Sequence, residues 1–193
     1  MLDTIKELRL KTNAGIVACK EALAEANGDI EKAVTILRKK GLSIAAKKSS
    51  RAANQGLVES YIHANGKIGV LIEVNCETDF VAKNEDFKTL VKELLLQIAA
   101  ANPKFLSRED VPLPLIENEK DIIKEQSKGK PAHALEKIVE GKLAKFYEDN
   151  CLLDQVFIID QSVKINQLIT DAVAKIGENI VVKRFARFQL GEE

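Results

Sequence analysis

The sequence predicts an α+β fold, and three observations carry the prediction. From Gly56 onward apolar residues recur at every second position, whereas on either side of that stretch they recur at spacings of three and four. The two period-two runs, residues 57–64 and 67–76, flank Asn65-Gly66, the strongest short signal for an antiparallel hairpin. A further strand-like run, residues 179–190, lies near the end of the chain. The expected architecture is an N-terminal three-helix module followed by a three-stranded antiparallel sheet. Helices cover the sheet, and an antiparallel helical hairpin is inserted between them.

Residues 3–40 read as three short helices. The first places Ile5 and Leu8 on one face and ends near Thr12-Asn13-Ala14-Gly15. In the second, Ile16, Cys19, Leu23 and Ala26 form an apolar stripe, and Asn27-Gly28 stops it. Asp29 is a good N-cap for the third, which buries Ile30, Ala33, Val34 and Leu37 and is expected to close at Gly41. The module therefore spans residues 1–41, and its pattern resembles the ubiquitin-associated three-helix module. Residues 42–55 read as a basic linker or loose helix, and residues 56–193 as the core domain.

In the core, Ile68, Val70, Ile72 and Val74 line one face of the second strand. Asn84 is placed to cap the next helix, whose buried stripe is Phe87, Leu90, Val91, Leu94, Leu95 and Ile98. Residues 113–149 form the inserted hairpin. Its first helix carries Leu115, Ile122 and Ile123, Lys128-Gly129-Lys130-Pro131 breaks it, and the second carries Leu135, Ile138, Val139, Leu143 and Phe146. An apolar connector, residues 152–160, leads to a helix with Ile165, Leu168, Ile169, Val173 and Ile176, which Gly177 ends. A three-stranded sheet has open edges and little area. Leu57 and Phe185 add apolar surface that one layer of helices leaves under-covered, which argues for a partner on the sheet.

Composition bounds the function. With 46% hydrophobic and 30% charged residues over 193 positions, the chain is a soluble globular protein. Its 29 basic and 29 acidic residues cancel, so no global field draws it to nucleic acid or membrane. No apolar run approaches a membrane span and no targeting segment is visible. Cys19, Cys76 and Cys151 have no metal-ligand spacing and suggest no disulfide framework, so a reducing cytoplasm is expected. His63 and His133 lack a nucleophile or a ligand neighbour, and both are read as solvated. Both phosphate-binding glycine motifs are missing. Adjacent acids such as Glu85-Asp86 suit helix starts. The expectation is a protein that is not an enzyme and needs no metal or cofactor.

One local charge run stands out. Between Glu31 and Glu59 every charge is positive: Lys32, Arg38, Lys39, Lys40, Lys47, Lys48 and Arg51. It reads as a solvated connector or as contact with an acidic partner or RNA phosphates. No aromatics interleave with it, which argues against a base-stacking platform.

The most informative stretch is Cys76-Glu77-Thr78-Asp79-Phe80-Val81-Ala82-Lys83-Asn84, a strand-to-helix corner that presents an acid beside a large aromatic. The pair has no partner for proton transfer but suits a protruding contact. Taken alone, Phe80 could equally staple onto its own helix and Asp79 could cap it. A second motif runs Lys6-Glu7-Leu8-Arg9-Leu10-Lys11-Thr12-Asn13-Ala14-Gly15-Ile16-Val17-Ala18-Cys19-Lys20-Glu21-Ala22-Leu23, and Lys175-Ile176-Gly177-Glu178-Asn179-Ile180 is a third. In order and separation these motifs resemble the elongation factor Ts family over essentially the whole chain. Departures fall at Asn13, where the family usually has Gly, at Ile16, Val17 and Ala18, and at Val156, where Pro is common.

The resemblance implies a guanine-nucleotide exchange factor for the translational GTPase elongation factor Tu. It implies that Lys6, Arg9, Ile16 and Val17 touch the partner's nucleotide-binding domain and that Thr78, Asp79, Phe80 and Val81 intrude. Phe80 would wedge between partner helices while Asp79 helps displace Mg²⁺. His63 is a further partner contact on this reading. One hairpin sheet and one Asp-Phe motif resemble the family's short form, in which two subunits of a homodimer supply the core halves. The runner-up is a ribosome- or RNA-associated adaptor that uses the basic stretch 32–51.

Overall fold

A computed structural model describes residues 2–12 and 14–192, apart from the side chains of residues 64, 132 and 133. The readings of Asn13 and of a solvated His133 lie outside what is described. The element order is α1 (Leu2–Thr12), α2 (Ile16–Glu25), α3 (Ile30–Lys48), β1 (Gln55–His63), β2 (Ile68–Cys76), α4 (Asp79–Ala82), α5 (Glu85–Ala101), α6 (Leu113–Gln126), α7 (Ala132–Asn150), α8 (Ile165–Ile176) and β3 (Ile180–Gln189). The strands form one three-stranded sheet in the order β1-β2-β3. The α+β architecture, the hairpin sheet and the inserted helix pair follow the sequence expectation. No helix among the described residues is long and apolar enough to cross a membrane.

The chain divides into two compact units. The first comprises Met1–Ser60, Leu71–Glu93 and Gln167–Arg184, and the second Tyr61–Val70, Leu94–Asn166 and Phe185–Glu193.

In the first unit, α1, α2 and α3 pack around Ile5, Leu8, Cys19, Ala22, Leu23, Ala26 and Ala33, which are all buried. Asp29 caps α3 by accepting from the Lys32 amide at 3.0 Å, which satisfies one of the orphan donors at a helix start. Two expectations need correction. Ile16 is not part of the buried stripe of α2 but stands 58% exposed at its first position. Gly41 does not end the third helix, because α3 continues to Lys48. Gly41 is instead a buried position against α8, where an added Cβ would lie 3.7 Å from Ala174 Cβ. Tertiary contact overrides the roughly 1 kcal/mol helix penalty of a glycine. The first half of the expected linker, residues 42–48, is therefore helix.

Burial alternates along β2 and at the start of β3. Ile72, Val74 and Cys76 of β2 and Ile180 and Val182 of β3 are buried, as are Phe87, Leu90 and Val91 of α5 and Ile169 and Val173 of α8. Gly56, at φ 145, brings β1 so close to β2 that a Cβ would fall 2.2 Å from the Val74 carbonyl oxygen; only glycine fits there. The under-covered surface is real, but other residues carry it. Leu57 is half-buried, as is Phe185 of the second unit, whereas Val58, Leu71 and Val181 of the first are exposed.

In the second unit, α6 packs on α7. Of the residues expected to face inward on α6, Ile123 is buried. Leu115 and Ile122 are exposed, and the inward positions are Ile116, Ile123 and Ser127. Residues 152–160 are more than an apolar connector. Gln97 is fully buried and donates to Gln155 Oε1 at 3.0 Å and to the Val156 carbonyl at 3.2 Å, while its own oxygen accepts from the Ile158 amide at 2.9 Å. A fully satisfied buried amide of this kind fixes one chain path. The turn between β1 and β2 holds Asn65 at φ 65, as the Asn-Gly signal requires.

Candidate functional site

The corner between β2 and α5 is built by its backbone. Thr78 is the N-cap of the single-turn helix α4, and its hydroxyl accepts from the Val81 amide at 3.4 Å. The Thr78 carbonyl takes the Ala82 amide at 3.3 Å and the Cys76 thiol at 3.1 Å. Asn84 then starts α5. Its side chain accepts from the Asp86 amide at 2.7 Å, and its carbonyl accepts from the Lys88 amide at 3.0 Å. Two short caps thus bracket the segment Asp79 to Lys83.

A distant part of the chain holds the start of this corner. Gly177, at φ 87, ends α8 and turns the chain into β3. The next residue, Glu178, directs its carboxylate at the corner. Oε2 accepts from the Glu77 amide at 3.1 Å and from the Thr78 amide at 3.0 Å, and Oε1 accepts from the Thr78 hydroxyl at 2.7 Å. The exchange is reciprocal, because Glu77 Oε1 accepts from the Asn179 amide at 2.7 Å. The Asn179 side chain donates to the carbonyls of Arg51 at 2.8 Å and Ser49 at 3.4 Å, just beyond α3. Arg51 lies 3.5 Å from Glu77, and the Lys48 ammonium donates to the Gly177 carbonyl. The Asn179 amide, with help from the Arg51 charge, holds the Glu77 carboxyl below the usual range against opposing burial. Burial pushes the Cys76 thiol up, and the Glu178 charge adds to this, so it stays protonated.

On this held backbone Phe80 is 80% exposed. Its recorded neighbour is the Lys83 ammonium, 5.9 Å from the ring centroid. It therefore does not staple onto its own helix. Nor is Asp79 the cap, since Thr78 fills that place. Asp79 pairs with Lys83 at 2.8 Å, and that hydrogen bond lowers its carboxyl below the ordinary range, so a charged, half-exposed acid stands beside the aromatic. Val81 is half-buried and Ala82 buried, which seats α4 on the unit beneath.

The N-terminal residues occupy a second surface. Lys6 and Arg9 of α1 are exposed, and Ile16 and Val17 open α2 at 58% and 69% exposure. Sequence reasoning passed over Leu10, which is 86% exposed on α1. His63 lies in the second unit, exposed, with Nδ1 3.0 Å from the Tyr61 hydroxyl. Sequence reasoning also gave no role to Glu77, Glu178 and Asn179, although two of the three motifs contain them. Only the fold shows that these two motifs meet.

Much of the basic stretch is occupied. Lys32 pairs with Asp29, Lys40 with Glu25 at 3.0 Å and Arg51 with Glu77, and Lys48 takes the Gly177 carbonyl. The Arg38 charge acts on the half-buried Asp171 carboxyl. Among the described residues no group of three or more His, Cys, Asp or Glu has metal-binding geometry.

Comparison with known proteins agrees with the motifs. Residues 2–192 match the family described as Elongation factor TS. The chain is 59% identical over 192 residues to Elongation factor Ts of Caldanaerobacter subterraneus subsp. tengcongensis, covering 98% of this chain and 96% of that one. It is 60% identical over 190 residues to Elongation factor Ts of Fervidobacterium nodosum, covering 97% and 96%. Against Elongation factor Ts of Thermoanaerobacter sp. the identity is 57% over 192 residues, covering 98% and 94%. With near-complete coverage on both sides, the chain belongs to the elongation factor Ts family.

Proposed function

We propose that this chain is a guanine-nucleotide exchange factor for elongation factor Tu, acting in the cytoplasm through the Thr78–Val81 corner. The observation that carries the reading is Phe80, a large aromatic left 80% exposed on a backbone pinned at both ends. Burying such a ring in a partner is favourable by roughly 1.5–3 kcal/mol. Among the described residues nothing buries it, so the gain is available to a complex.

The mechanism follows from linkage. A factor that speeds GDP release binds the nucleotide-free partner more tightly than the GDP-bound one, and GDP weakens the factor by the same ratio. Acceleration by about a thousandfold requires roughly 4 kcal/mol of barrier reduction. One buried phenylalanine falls short of that. Asp79 supplies a comparable share on this reading: its charged carboxylate disturbs the Mg²⁺ that holds the partner's phosphates. Lys6, Arg9, Ile16 and Val17 give a second grip whose task is affinity. Residues 1–41 act as a separate ubiquitin-associated-like module on this reading, although α3 carries its last helix on to Lys48.

The exposed outer face of the sheet, with Val58, Leu71 and Val181, supports a homodimer through the core. The three cysteines are buried and free, so they do not join it. The adaptor reading has less support, because several cations of the basic stretch already have acidic or carbonyl partners. Release of fluorescent GDP from elongation factor Tu, with and without the chain, tests the main reading. Faster release at catalytic amounts is expected, and an unchanged rate at saturating chain rejects it. Light scattering in reducing buffer tests the assembly, with a dimer expected across micromolar concentrations.

A further inference from the structure

We propose that Glu178 is the positioning residue of the exchange corner. Its carboxylate, held by the Gly177 turn, fixes the Glu77–Thr78 backbone and so aims Phe80. The inference rests on the reading of Phe80 as the intruding side chain.

The geometry is specific. One carboxylate accepts three hydrogen bonds, at 3.1, 3.0 and 2.7 Å, from two consecutive amides and the hydroxyl between them and the helix. Those amides sit where β2 ends and α4 has not begun, so no sheet or helix partner is available to them. The same hydroxyl caps α4 by accepting from the Val81 amide. Glu178 therefore sets the rotamer of the cap as well as the path of the chain. Hydrogen bonds to a carboxylate are shorter and stronger than those between neutral groups. Glu77 returns the contact by accepting from the Asn179 amide at 2.7 Å, so the two entry points are held from both sides. Phe80 lies two residues beyond Thr78 and is largely exposed. Its direction is inherited from this clasp. A wedge on a loose corner would spend binding energy on ordering itself before acting on the partner.

The chain contains no tryptophan, so Phe80→Trp installs a single fluorescent reporter at the corner. Time-resolved anisotropy of the free protein then reads corner mobility with no GTPase present. In Phe80→Trp the ring should move with the whole protein. In Phe80→Trp/Glu178→Ala a fast local component should appear, and Phe80→Trp/Glu178→Gln should remove most of it. The glutamine amide oxygen can still accept both backbone amides, and its NH₂ can donate to the Thr78 hydroxyl. In the exchange assay, Glu178→Ala on the otherwise native chain should lower the limiting rate about tenfold, and Glu178→Gln should recover it to within about threefold. The half-saturating concentration should move less, since the N-terminal surface is intact. If Glu178→Ala melts early, Thr78→Val, which removes the hydroxyl's bonds to both the Glu178 carboxylate and the Val81 amide, should loosen the reporter in the same direction. Unchanged anisotropy in a folded Glu178→Ala or Thr78→Val chain overturns the proposal. So does an exchange rate lowered by Phe80→Ala but untouched by Glu178→Ala. A loosened reporter with full exchange activity in both Glu178→Ala and Phe80→Ala would uphold the clasp and reject the wedge.

Discussion

The Phe80 corner and the surface formed by α1 and α2 both expose large apolar side chains, yet their backbones are built differently. Ile16 and Val17 open a ten-residue helix whose N-cap, Gly15, makes no side-chain hydrogen bond. Phe80 sits on a one-turn helix that could not persist alone, and caps on both sides together with a carboxylate a hundred residues away hold it. A docking side chain has only to offer area. A side chain that prises a partner apart needs a backbone that does not yield. On the proposed function that criterion makes the corner the part expected to act and the N-terminal surface the part expected to hold.

The largest expected effect tests the first half of this contrast. Phe80→Ala should lower the limiting rate of GDP release by one to two orders of magnitude, roughly 1.4–2.7 kcal/mol, with the melting temperature nearly unchanged. Removing an exposed ring opens no cavity. A chain that melts early, or one that keeps full activity, would show that Phe80 is not the acting residue.

The second half predicts a different kinetic signature. Ile16→Ala/Val17→Ala should raise the half-saturating concentration about tenfold while leaving the limiting rate within about twofold. Lys6→Ala/Arg9→Ala should do the same more weakly and should flatten the salt dependence of association. A fall in the limiting rate at saturating chain would mean that the N-terminal surface takes part in opening the nucleotide site, and the division of roles would fail.

Legibility in the sequence followed the range of the interactions. The hairpin, the cap at Asp29 and the stripes of α5 and α8 are set by periods and short motifs, and they stand where the sequence places them. The end of α3 was not legible, because Gly41 is a stop by propensity and a packing position against α8 by tertiary contact. On α6 the expectation holds at Ile123 but not at Leu115 and Ile122, which are exposed, because Leu115 fits a narrow stripe as well as its half-buried neighbour Ile116 does. At the site, Asp79 and Phe80 were legible as an unusual pair at a corner. Glu178 was not, because its partners are about a hundred residues away and no local pattern marks an acceptor for two amides.

The smallest effects concern two carboxyls of the first unit that titrate in opposite senses. Glu77 belongs to the corner, and the Asn179 amide lowers its carboxyl below the ordinary value of 4.5. The unfolded chain then binds the proton more readily than the folded one. Its contribution is complete above that ordinary value and is lost as pH falls toward the lower folded one. Glu77→Gln should flatten that part of the acid-unfolding curve and leave the slope near neutrality alone. Asp171 faces α3 from α8, and burial raises its carboxyl above the ordinary 3.8 although Gln167 and Arg38 oppose the shift. Here the folded chain binds the proton more readily, so charge on Asp171 costs stability at neutral pH, and the cost fades as pH falls through the raised value. Asp171→Asn keeps an acceptor for the Gln167 amide, now at 2.8 Å from Oδ1. It should raise the melting temperature at pH 7 by about 1–3 °C, with no gain below pH 3.8. Thermal melts of both variants across that range decide the matter. If Asp171→Asn destabilises at pH 7, the Arg38 interaction outweighs burial, and the contact between α3 and α8 is an electrostatic anchor like the one at the corner.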